Sequence, residues 1–459
     1  MGATERIASF IVETGYDQIP EEAVKVAKVA ILDCLGCALA GSLEPAARII
    51  TQYVKEMAGK PEAGVIASGF KTTAAGAAVA NGSMAHVLDY DDVAVSWMGH
   101  PSAVLLAVVL ALGERNRLSG REALAGYILG FEVEDKLGAC VGLGHYGWGW
   151  HSTATLGTVA AAATAAKMLG LDVDRTIMAL GISVSLAGGT RQNFGSMTKS
   201  LHAGSAARNG IVAALLAEKG FTADEAIIEN PMGFCKLFSG GAEHDATQAT
   251  RRLGEPFGIV SPGVSIKPYP CCRLTHRCID AILYLIKEYG VKYYDVEKVE
   301  CGTSECVPQV LIHSRPKTGL EGKFSMEYCM AIALLDGQVA LRQFADDRVM
   351  DARAQELLQR VKYVHSGDVG GVEALNTPEV VTVELRDGRK LNRETLVAKG
   401  DSRNPMAAEE LAAKYRNCAS SVLSVEDIEM SLNMVSCLED VRDVAEVMNL
   451  LCSGEKGVS

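Results

Sequence analysis

The sequence has 459 residues, which predicts two or three domains, and its 48% hydrophobic and 22% charged residues exclude a disordered chain or a coiled coil. Its 44 Lys and Arg residues against 56 Asp and Glu residues give a net charge of −12, which argues against a nucleic-acid partner. No apolar run of about 18 residues lacks both a charge and a helix breaker, so no membrane partner is predicted.

The cysteines and the N-terminus bear on the cellular compartment. Thirteen cysteines are an odd number, and residues 1–13 carry charges where the apolar segment of a signal peptide would lie. Both features favour reduced thiols in a cytoplasmic protein. Cys34 and Cys37 lie in an apolar helical run, which predicts that they pack in the core.

The first half of the chain is rich in Ala, Leu and Gly and carries helical signals throughout. Three of its stretches are apolar on nearly every face, namely 103–112, 160–169 and 206–217. Helices of this kind lie inside a bundle, where other helices shield them from water. Residues 1–257 are therefore predicted to form an all-α domain with a buried central layer.

Two capping boxes, at 119–122 and 222–225, and one N-cap, at 424–427, predict the starts of three helices. A hydroxyl residue precedes an acidic residue by three positions at 119–122, 222–225 and 424–427. In this arrangement the two side chains satisfy backbone donors that have no partner in the first helical turn. Each segment is therefore expected to open a helix.

The pattern changes after about Pro256. Residues 296–301 and 381–385 have strand-like patterns, and Asp387-Gly388 favours a tight hairpin after the second of them. Helical spacing lies between the two strands, and the tail from Asn404 is helical again. We therefore predict a mainly α fold, in which an α+β domain of residues 258–403 is inserted into an all-α domain made of 1–257 and 404–459.

The most polar segment of the helical half runs from His86 through Asp89, Asp91 and Asp92, and His100 follows it. Pro101 fits the first turn of the next helix, so His100 is placed near a helix N-terminus, where backbone donors attract anions. A calcium loop is excluded because Ala94 and His100 stand where that loop requires Gly and Glu. A metal site of His86, Asp91 and His100 and a purely structural role both stay open.

His151 precedes a second buried helix in the same way, although a capping role is the alternative. A glycine-rich segment from Gly188 to His202 places Arg191 and Lys199 at the start of a third buried helix. It lacks the Gly-Lys-Ser/Thr order of a phosphate-binding loop, so nucleotide binding is rejected. Lys199 is expected either to meet solvent or to bind a carboxylate.

Prolines on either side of Tyr269 predict an extended segment that presents Lys267 and Arg273 at the junction of the two domains. A zinc site built from Cys271, Cys272, His276 and Cys278 does not match the usual Cys-x-x-Cys pairing. His244-Asp245 resembles the metal-binding pair of all-α phosphohydrolases, but no partners for it are recognisable.

The sequence has fewer cationic than anionic residues, and these segments supply the candidates for a cluster of cations: Arg191, Lys199, Lys267, Arg273, His100 and His151. Asp89, the histidines and Tyr328 supply acid and base groups. Proton abstraction next to a carboxylate needs such a set, because fixed cations must stabilise the developing dianion. No cofactor motif is evident, which leaves elimination, decarboxylation or epimerisation.

The order and spacing of several segments resemble the MmgE/PrpD family. The segments are Gly82–His86 with Asp89–Asp92, His100–Ser102, Gly149–His151, Lys199–Gly204, Lys267–Pro270 with Cys272–His276, and Phe324–Tyr328 with Leu334–Gly337. The resemblance implies a large helical domain with a smaller α+β lid, a homodimer, and no metal or organic cofactor. The family contains 2-methylcitrate dehydratases, cis-aconitate decarboxylases and iminodisuccinate epimerases.

In the decarboxylase branch, the resemblance implies that the site residues correspond here to Asp89, His100, His151, Lys199, Lys267 and Tyr328. Two positions depart from that branch, since Val93 stands at a threonine position and Cys272 at a histidine position.

We therefore predict a cofactor-independent hydro-lyase that acts on a di- or tricarboxylate such as 2-methylcitrate. Epimerisation of a dicarboxylate is the second choice, and decarboxylation of the cis-aconitate type is a further alternative. A non-catalytic carboxylate-binding protein and a phosphohydrolase using His244-Asp245 are alternatives from other classes. Roles follow from residue type: His151 or His100 is the base and acid, Asp89 orients a histidine, and Tyr328 donates a proton from the lid. Carboxylate binding is assigned to Lys199, Lys267, Arg191 and Arg273.

Overall fold

The computed structural model describes residues 1–241, 244–365 and 377–452, which form a helical part and a smaller α+β part. The helical part begins with ten helices and a two-stranded ribbon. The helices are α1 (Ala3–Glu13), α2 (Glu21–Gly41), α3 (Pro45–Met57), α4 (Ala74–His86), α5 (Pro101–Asn116), α6 (Gly120–Gly147), α7 (Ser152–Met168), α8 (Val173–Leu186), α9 (Thr198–Glu218) and α10 (Phe234–Phe238), and the ribbon is β1 (Ala63–Gly64) with β2 (Lys71–Thr72).

The central layer of the helical part consists of the helices that the sequence predicted to be buried. In α5 and α7 nearly every residue is inaccessible to solvent, and α9 packs between α4, α7 and α8. Glycines allow α4 and α9 to approach closely: a Cβ added to Gly204 would lie 2.1 Å from the carbonyl oxygen of Val79, and one added to Gly82 would lie 2.9 Å from the Gly204 Cα. This contact brings the end of α4 next to the start of α9.

The α+β part has a four-stranded sheet in the order β4-β3-β5-β6, formed by β3 (Val296–Thr303), β4 (Val361–His365), β5 (Glu379–Leu385) and β6 (Lys390–Thr395). The β3 and β4 strands pair in parallel, and the other pairs are antiparallel. Burial alternates along β5, as its sequence pattern predicted. The accompanying helices are α11 (His276–Tyr289), α12 (Cys306–Val310), α13 (Gly319–Gly322), α14 (Met326–Asp336), α15 (Asp346–Val349) and α16 (Ala352–Leu357).

The C-terminal tail forms α17 (Ala408–Ala419), α18 (Val425–Ser436) and α19 (Val444–Cys452). Both α17 and α18 pack against α2, and α19 packs against α5, so the chain returns to the helical part after the sheet. The fold is thus mainly α with a small α+β part, as predicted. The boundaries at 257/258 and 403/404 stay predictions.

One of the two predicted capping boxes is confirmed and the other is wrong, and the predicted cap at Ser424 is confirmed. The Ser119 hydroxyl accepts a hydrogen bond from the Glu122 amide at the start of α6, and Ser424 does the same for Asp427 at the start of α18. Residues 222–225 open no helix, because the chain turns there and the backbone N–H of Ala223 contacts the Met178 sulfur instead. A local capping pattern was overridden by packing of the loop against α8.

Within the described residues, no single helix has the length and hydropathy to cross a bilayer; α2 and α3 pass that test only as a pair, with an 86° bend between them.

A disulfide corrects the expectation that all cysteines are reduced. Cys140 in α6 is bonded to Cys235 in α10, with their Cα atoms 6.1 Å apart. The two residues are 95 positions apart in sequence, and both are buried. The bond fixes α10 against the C-terminal half of α6, just before the segment that leads to His151.

This disulfide predicts a measurable thiol count. Protein that is prepared and denatured without a reductant should have two fewer reactive thiols than it has cysteines, of which there are 13. After reduction, all 13 thiols should react. Reduction should also lower the free energy of unfolding, by up to about 4 kcal/mol for a loop of this length. Thiol titration with and without reductant measures the first effect, and denaturant unfolding measures the second. Thirteen reactive thiols in the unreduced protein would contradict the bond.

Candidate active site

A small cavity lies where the helical part meets the α+β part. Its charged and polar walls come from the loop after α4, the N-termini of α5, α7 and α9, and the segment before α11. Its remaining walls are apolar. The lining residues are Asp89, Val93, Met98, His100, Tyr146, His151, Phe194, Lys199, Lys267, Cys272, Arg273, Leu274 and Phe324.

Asp89 lies at the centre of the charged wall, just after α4. Its Oδ1 atom accepts hydrogen bonds from Lys199 Nζ and Lys267 Nζ, each at 3.0 Å. Lys267 Nζ also donates to the backbone oxygen of Asp89 at 2.8 Å. Burial opposes ionisation of Asp89, but the two ammonium groups outweigh it and hold the pKa of this carboxyl well below its usual value. The carboxylate therefore stays ionised and fixes both lysines at the cavity.

His86 and Asp91 support this arrangement from behind. Lys199 Nζ lies 2.6 Å from His86 Nε2, and His86 Nδ1 lies 2.8 Å from Asp91 Oδ2. Because an ammonium can only donate, Nε2 of His86 accepts and Nδ1 donates to Asp91. Burial, opposed by Asp91 but reinforced by Lys199, lowers the pKa of His86 to about 3. His86 is thus a neutral residue that positions Lys199.

His151 is the N-cap residue of α7, and its ring projects into the cavity. Its Nδ1 atom lies 3.0 Å from Nδ1 of His202, while its Nε2 atom is buried and has no hydrogen-bond partner among the described residues. One of the two Nδ1 atoms must carry a proton and the other must accept it. Burial and the nearby Lys199 keep the pKa of His151 well below its usual value. His151 is therefore a neutral imidazole that can take up or release a proton at Nε2.

His100 is the N-cap residue of α5. Its backbone N–H donates to the Thr153 hydroxyl at 3.0 Å, which joins the N-termini of α5 and α7. Its Nδ1 atom lies 3.3 Å from Asp91 Oδ2, and its Nε2 atom lies 3.6 Å from Asp89 Oδ1. Burial lowers the pKa of His100 in spite of Asp91, so this second imidazole is also neutral near pH 7. Asp89, His100, His151, Lys199 and Lys267 are thus brought together.

The structure places two predicted site residues away from this cavity. The Tyr328 hydroxyl donates to the backbone oxygen of Gln343, and its ring packs on Phe344 in the core of the α+β part. The Arg191 guanidinium lies 4.0 Å over the Tyr146 ring and donates to the Tyr146 backbone oxygen at 2.5 Å. Neither residue lines the cavity, so the predicted proton donation from Tyr328 and carboxylate binding by Arg191 have no geometric support. Arg273 does line the cavity.

Sequence reasoning did not assign the roles of four residues that the structure places at or next to the site: His86, Asp91, His202 and Lys323. The sequence left a metal site and a purely structural role open for Asp91 and His86, and His202 was only the end of a motif. His202 lies three positions after Lys199 in α9, a spacing that puts two side chains on the same helical face, so this signal was available. Lys323 is the fourth of these residues, and no periodic pattern in the sequence indicated that it lies near the site.

Lys323 connects the two parts of the molecule. Its Nζ atom donates to the backbone oxygens of Leu88, at 2.7 Å, and Pro270, at 2.8 Å. Burial lowers the pKa of Lys323 to about 8, although Asp89 opposes the shift. A cation of the α+β part is therefore held directly behind the loop that carries Asp89.

The donor set does not fit a metal ion. His86, Asp89, Asp91 and His100 each offer an atom, and these atoms lie within 4.8 Å of one another. However, Lys199 contacts the Nε2 atom of His86, and Lys199 and Lys267 both contact Asp89 Oδ1. Two ammonium groups so close to the donor atoms would repel a divalent cation.

We therefore expect calorimetric titration with ZnCl₂ to give the same result for the wild-type protein and for Asp91→Asn. A Zn²⁺-binding signal that Asp91→Asn abolishes would contradict this expectation.

The other candidate metal clusters are not formed among the described residues. Cys271 Sγ contacts the Thr275 hydroxyl at 3.1 Å, and His276 Nε2 contacts a backbone oxygen. His244 is exposed, and Asp245 caps a short 3₁₀ turn through Thr247. Cys34 and Cys37 are buried in α2, as predicted.

Comparison with known proteins gives consistent findings. A sequence model described as the MmgE/PrpD N-terminal domain matches residues 5–247, and one described as the MmgE/PrpD C-terminal domain matches residues 269–440. The chain is 28% identical to cis-aconitate decarboxylase of Aspergillus terreus (strain NIH 2624 / FGSC A1156), over 98% of this chain and 96% of that protein. It is 27% identical to cis-aconitate decarboxylase of Homo sapiens, over 98% and 94%. It is 25% identical to 2-methylcitrate dehydratase of Salmonella typhimurium, over 82% and 81%.

Proposed function

Because the chain belongs to the MmgE/PrpD family, we propose that it is a cofactor-independent lyase that transfers a proton at a carbon next to a carboxylate of a tricarboxylate substrate. One observation carries the proposal. Lys199 and Lys267 share the single carboxylate of Asp89 at the wall of a cavity that also holds the unpartnered Nε2 atom of His151.

The charges around Asp89 favour an anionic substrate. Lys199 and Lys267 share the carboxylate of Asp89, while His86, His100 and His151 are neutral. The two ammonium groups are largely buried, and ion–ion interactions in such a setting are stronger than in water. A substrate carboxylate next to the two lysines would add a second anion to this pair of cations. When the neighbouring carbon loses its proton, negative charge moves onto that carboxylate, and the fixed ammonium groups stabilise it.

Dehydration of a 2-methylcitrate-like substrate is the first candidate. His151 Nε2 takes the proton from carbon, the electron pair of the broken C–H bond forms the C=C bond, and the hydroxyl on the next carbon leaves as water after receiving a proton. Lys199 is the donor we assign to that step, and His202 returns the proton from His151 to solvent. The neutral state of His151 supports this order, because a base must be unprotonated before it acts.

Decarboxylation of the cis-aconitate type is the second candidate. It is supported by the coverage of the alignments, since the two decarboxylases named above align with 98% of the chain and the dehydratase aligns with 82%. In this reaction the C–CO₂⁻ bond breaks, the double bond shifts, and carbon takes up a proton. Against it, Val93 and Cys272, the two positions that depart from the decarboxylase branch, both line the cavity.

Epimerisation is not supported by these relatives, which are named for lyases. The homodimer and the cytoplasmic location inferred from the sequence remain predictions.

Proton NMR in heavy water tests the proposal and separates its two forms. The enzyme is incubated with 2-methylcitrate and, separately, with cis-aconitate. Dehydration of 2-methylcitrate replaces its methyl doublet with the singlet of a methyl group on a C=C bond, and decarboxylation gives CO₂ and a dicarboxylate from cis-aconitate. Deuterium uptake with no other change in the substrate would indicate an epimerase. Binding of both compounds with no exchange and no product would indicate a non-catalytic protein and refute the proposal.

A further inference from the structure

A second small cavity adjoins the one described above. Both cavities are lined by Val93, Met98, Arg273 and Leu274, so Arg273 lies at the boundary between them. The far wall of the second cavity includes Arg403 and Asp401. A molecule bound beside His151 could therefore extend past Arg273 into this space.

Arg273 has donors to spare at this boundary. Its side chain is only 12% exposed, and its Nη2 atom donates to Asp401 Oδ2 at 3.0 Å. A guanidinium carries five N–H donors, and the other donors of Arg273 have no hydrogen-bond partner among the described residues. Because Arg273 lines both cavities, an anion in either could accept charge-assisted hydrogen bonds from these donors.

Arg403 provides a second guanidinium at the same carboxylate. Its backbone N–H and its Nε atom both bond to Asp401 Oδ1, at 3.1 and 3.0 Å, so a short Asp-x-Arg turn holds the side chain in place. Its two Nη groups make no hydrogen bond among the described residues, and the side chain is 53% exposed. Asp401 thus orients two arginines and neutralises only one of them.

We propose that this second cavity is an anion subsite, in which Arg273 and Arg403 bind a carboxylate of the substrate distal to the one next to Lys199 and Lys267. The proposal rests on the lyase function above, and it identifies the residues that bind a second carboxylate of the tricarboxylate substrate. Planar guanidinium groups suit this task because they bind carboxylates through paired hydrogen bonds.

Calorimetric binding of tricarballylate (propane-1,2,3-tricarboxylate) tests the subsite without requiring turnover. This probe has neither the hydroxyl nor the double bond on which the proposed reactions depend, so its binding is measured whether or not the lyase assignment holds. We expect Arg403→Gln to weaken tricarballylate binding about ten-fold, the effect of losing one charge-assisted contact, and Arg403→Lys to recover part of the loss. Butyrate, which has a single carboxylate, should bind to wild type and Arg403→Gln alike.

The matched control is Arg389→Gln. Arg389 forms the same kind of Asp-x-Arg turn, with its backbone N–H and Nε atom bonded to Asp387, and it is exposed on the hairpin between β5 and β6. This variant should bind tricarballylate as the wild-type protein does.

Three results would overturn the subsite: no binding of tricarballylate to wild type, unchanged binding in Arg403→Gln, or an equal loss for butyrate. Inorganic phosphate is the last probe. Dependence on Arg403 for phosphate, but not for tricarballylate, would indicate an anion site unconnected with the substrate and would also overturn the proposal.

Discussion

Replacing His151 with glutamine is expected to lower kcat/KM by about 10³-fold, a loss typical of removing a general base. The Nε2 atom of His151 is buried in the cavity and has no partner among the described residues, whereas glutamine offers no group that can accept a proton from carbon near neutral pH. KM should change much less than kcat, because no substrate carboxylate is assigned to this side chain. Steady-state kinetics on the substrate identified by NMR measures both constants.

The matched control for this variant is His244→Gln. His244 is exposed and remote in sequence from the cavity residues, so its replacement should leave kcat/KM and thermal unfolding unchanged. Full activity in His151→Gln, with both proteins folded by circular dichroism, would remove His151 from the chemistry.

The pH profile gives an independent check on His151. Its pKa is lowered by burial and by Lys199, so the imidazole is neutral throughout the range from pH 6.5 to 8. Protonation inactivates a base, so kcat/KM in the wild-type enzyme should fall on the acidic side only below pH 6.5. An acidic limb centred at or above pH 6.5 would show that His151 is not in the desolvated state described above.

Replacing Lys199 with methionine is expected to lower kcat/KM by about 10³-fold, near the upper limit for loss of one fixed donor to a developing anion. Lys199 Nζ contacts both Asp89 and His86, and it lies 5.3 and 5.6 Å from the ring centroids of Phe194 and Phe324. Without this ammonium, the Asp89 carboxylate is bonded to the Lys267 side chain alone, and the cavity wall carries one positive charge fewer. Arginine should not restore the activity, since its planar fork does not replace a compact ammonium.

Lys219→Met serves as the control, because Lys219 lies exposed at the C-terminal end of the same helix, α9. Thermal unfolding of both variants separates lost catalysis from lost structure. If Lys199→Met and Lys219→Met have the same kcat/KM, the shared carboxylate of Asp89 has no catalytic importance and the proposed function loses its support.

Part of this site could be predicted from the sequence, for identifiable reasons. Helices that are apolar on every face must be buried, so polar residues at their N-termini are forced towards a common interior surface. This explains why His100 and His151 were found. Lys199 was found because it is a cation at the start of such a helix.

The remaining features depend on long-range packing. Tyr328 is polar, buried and part of a conspicuous segment, but the direction of its hydroxyl is set by Gln343, fifteen residues later. Arg191 is drawn to the Tyr146 ring from a loop 45 residues away. The Cys140–Cys235 bond and the contacts of Lys323 likewise join distant residues. Residue type and local spacing carry no information about such pairings.

The glycine contact between α4 and α9 has a consequence for how this protein can change over evolution. Gly82 lies four residues before His86, and Gly204 lies five residues after Lys199, so the helix crossing sets the distance between the imidazole and the ammonium. A single methyl group at either glycine would force the helices apart and lengthen that distance. Mutations that retune catalysis can therefore arise well outside the pocket, where comparison of pocket residues alone would overlook them.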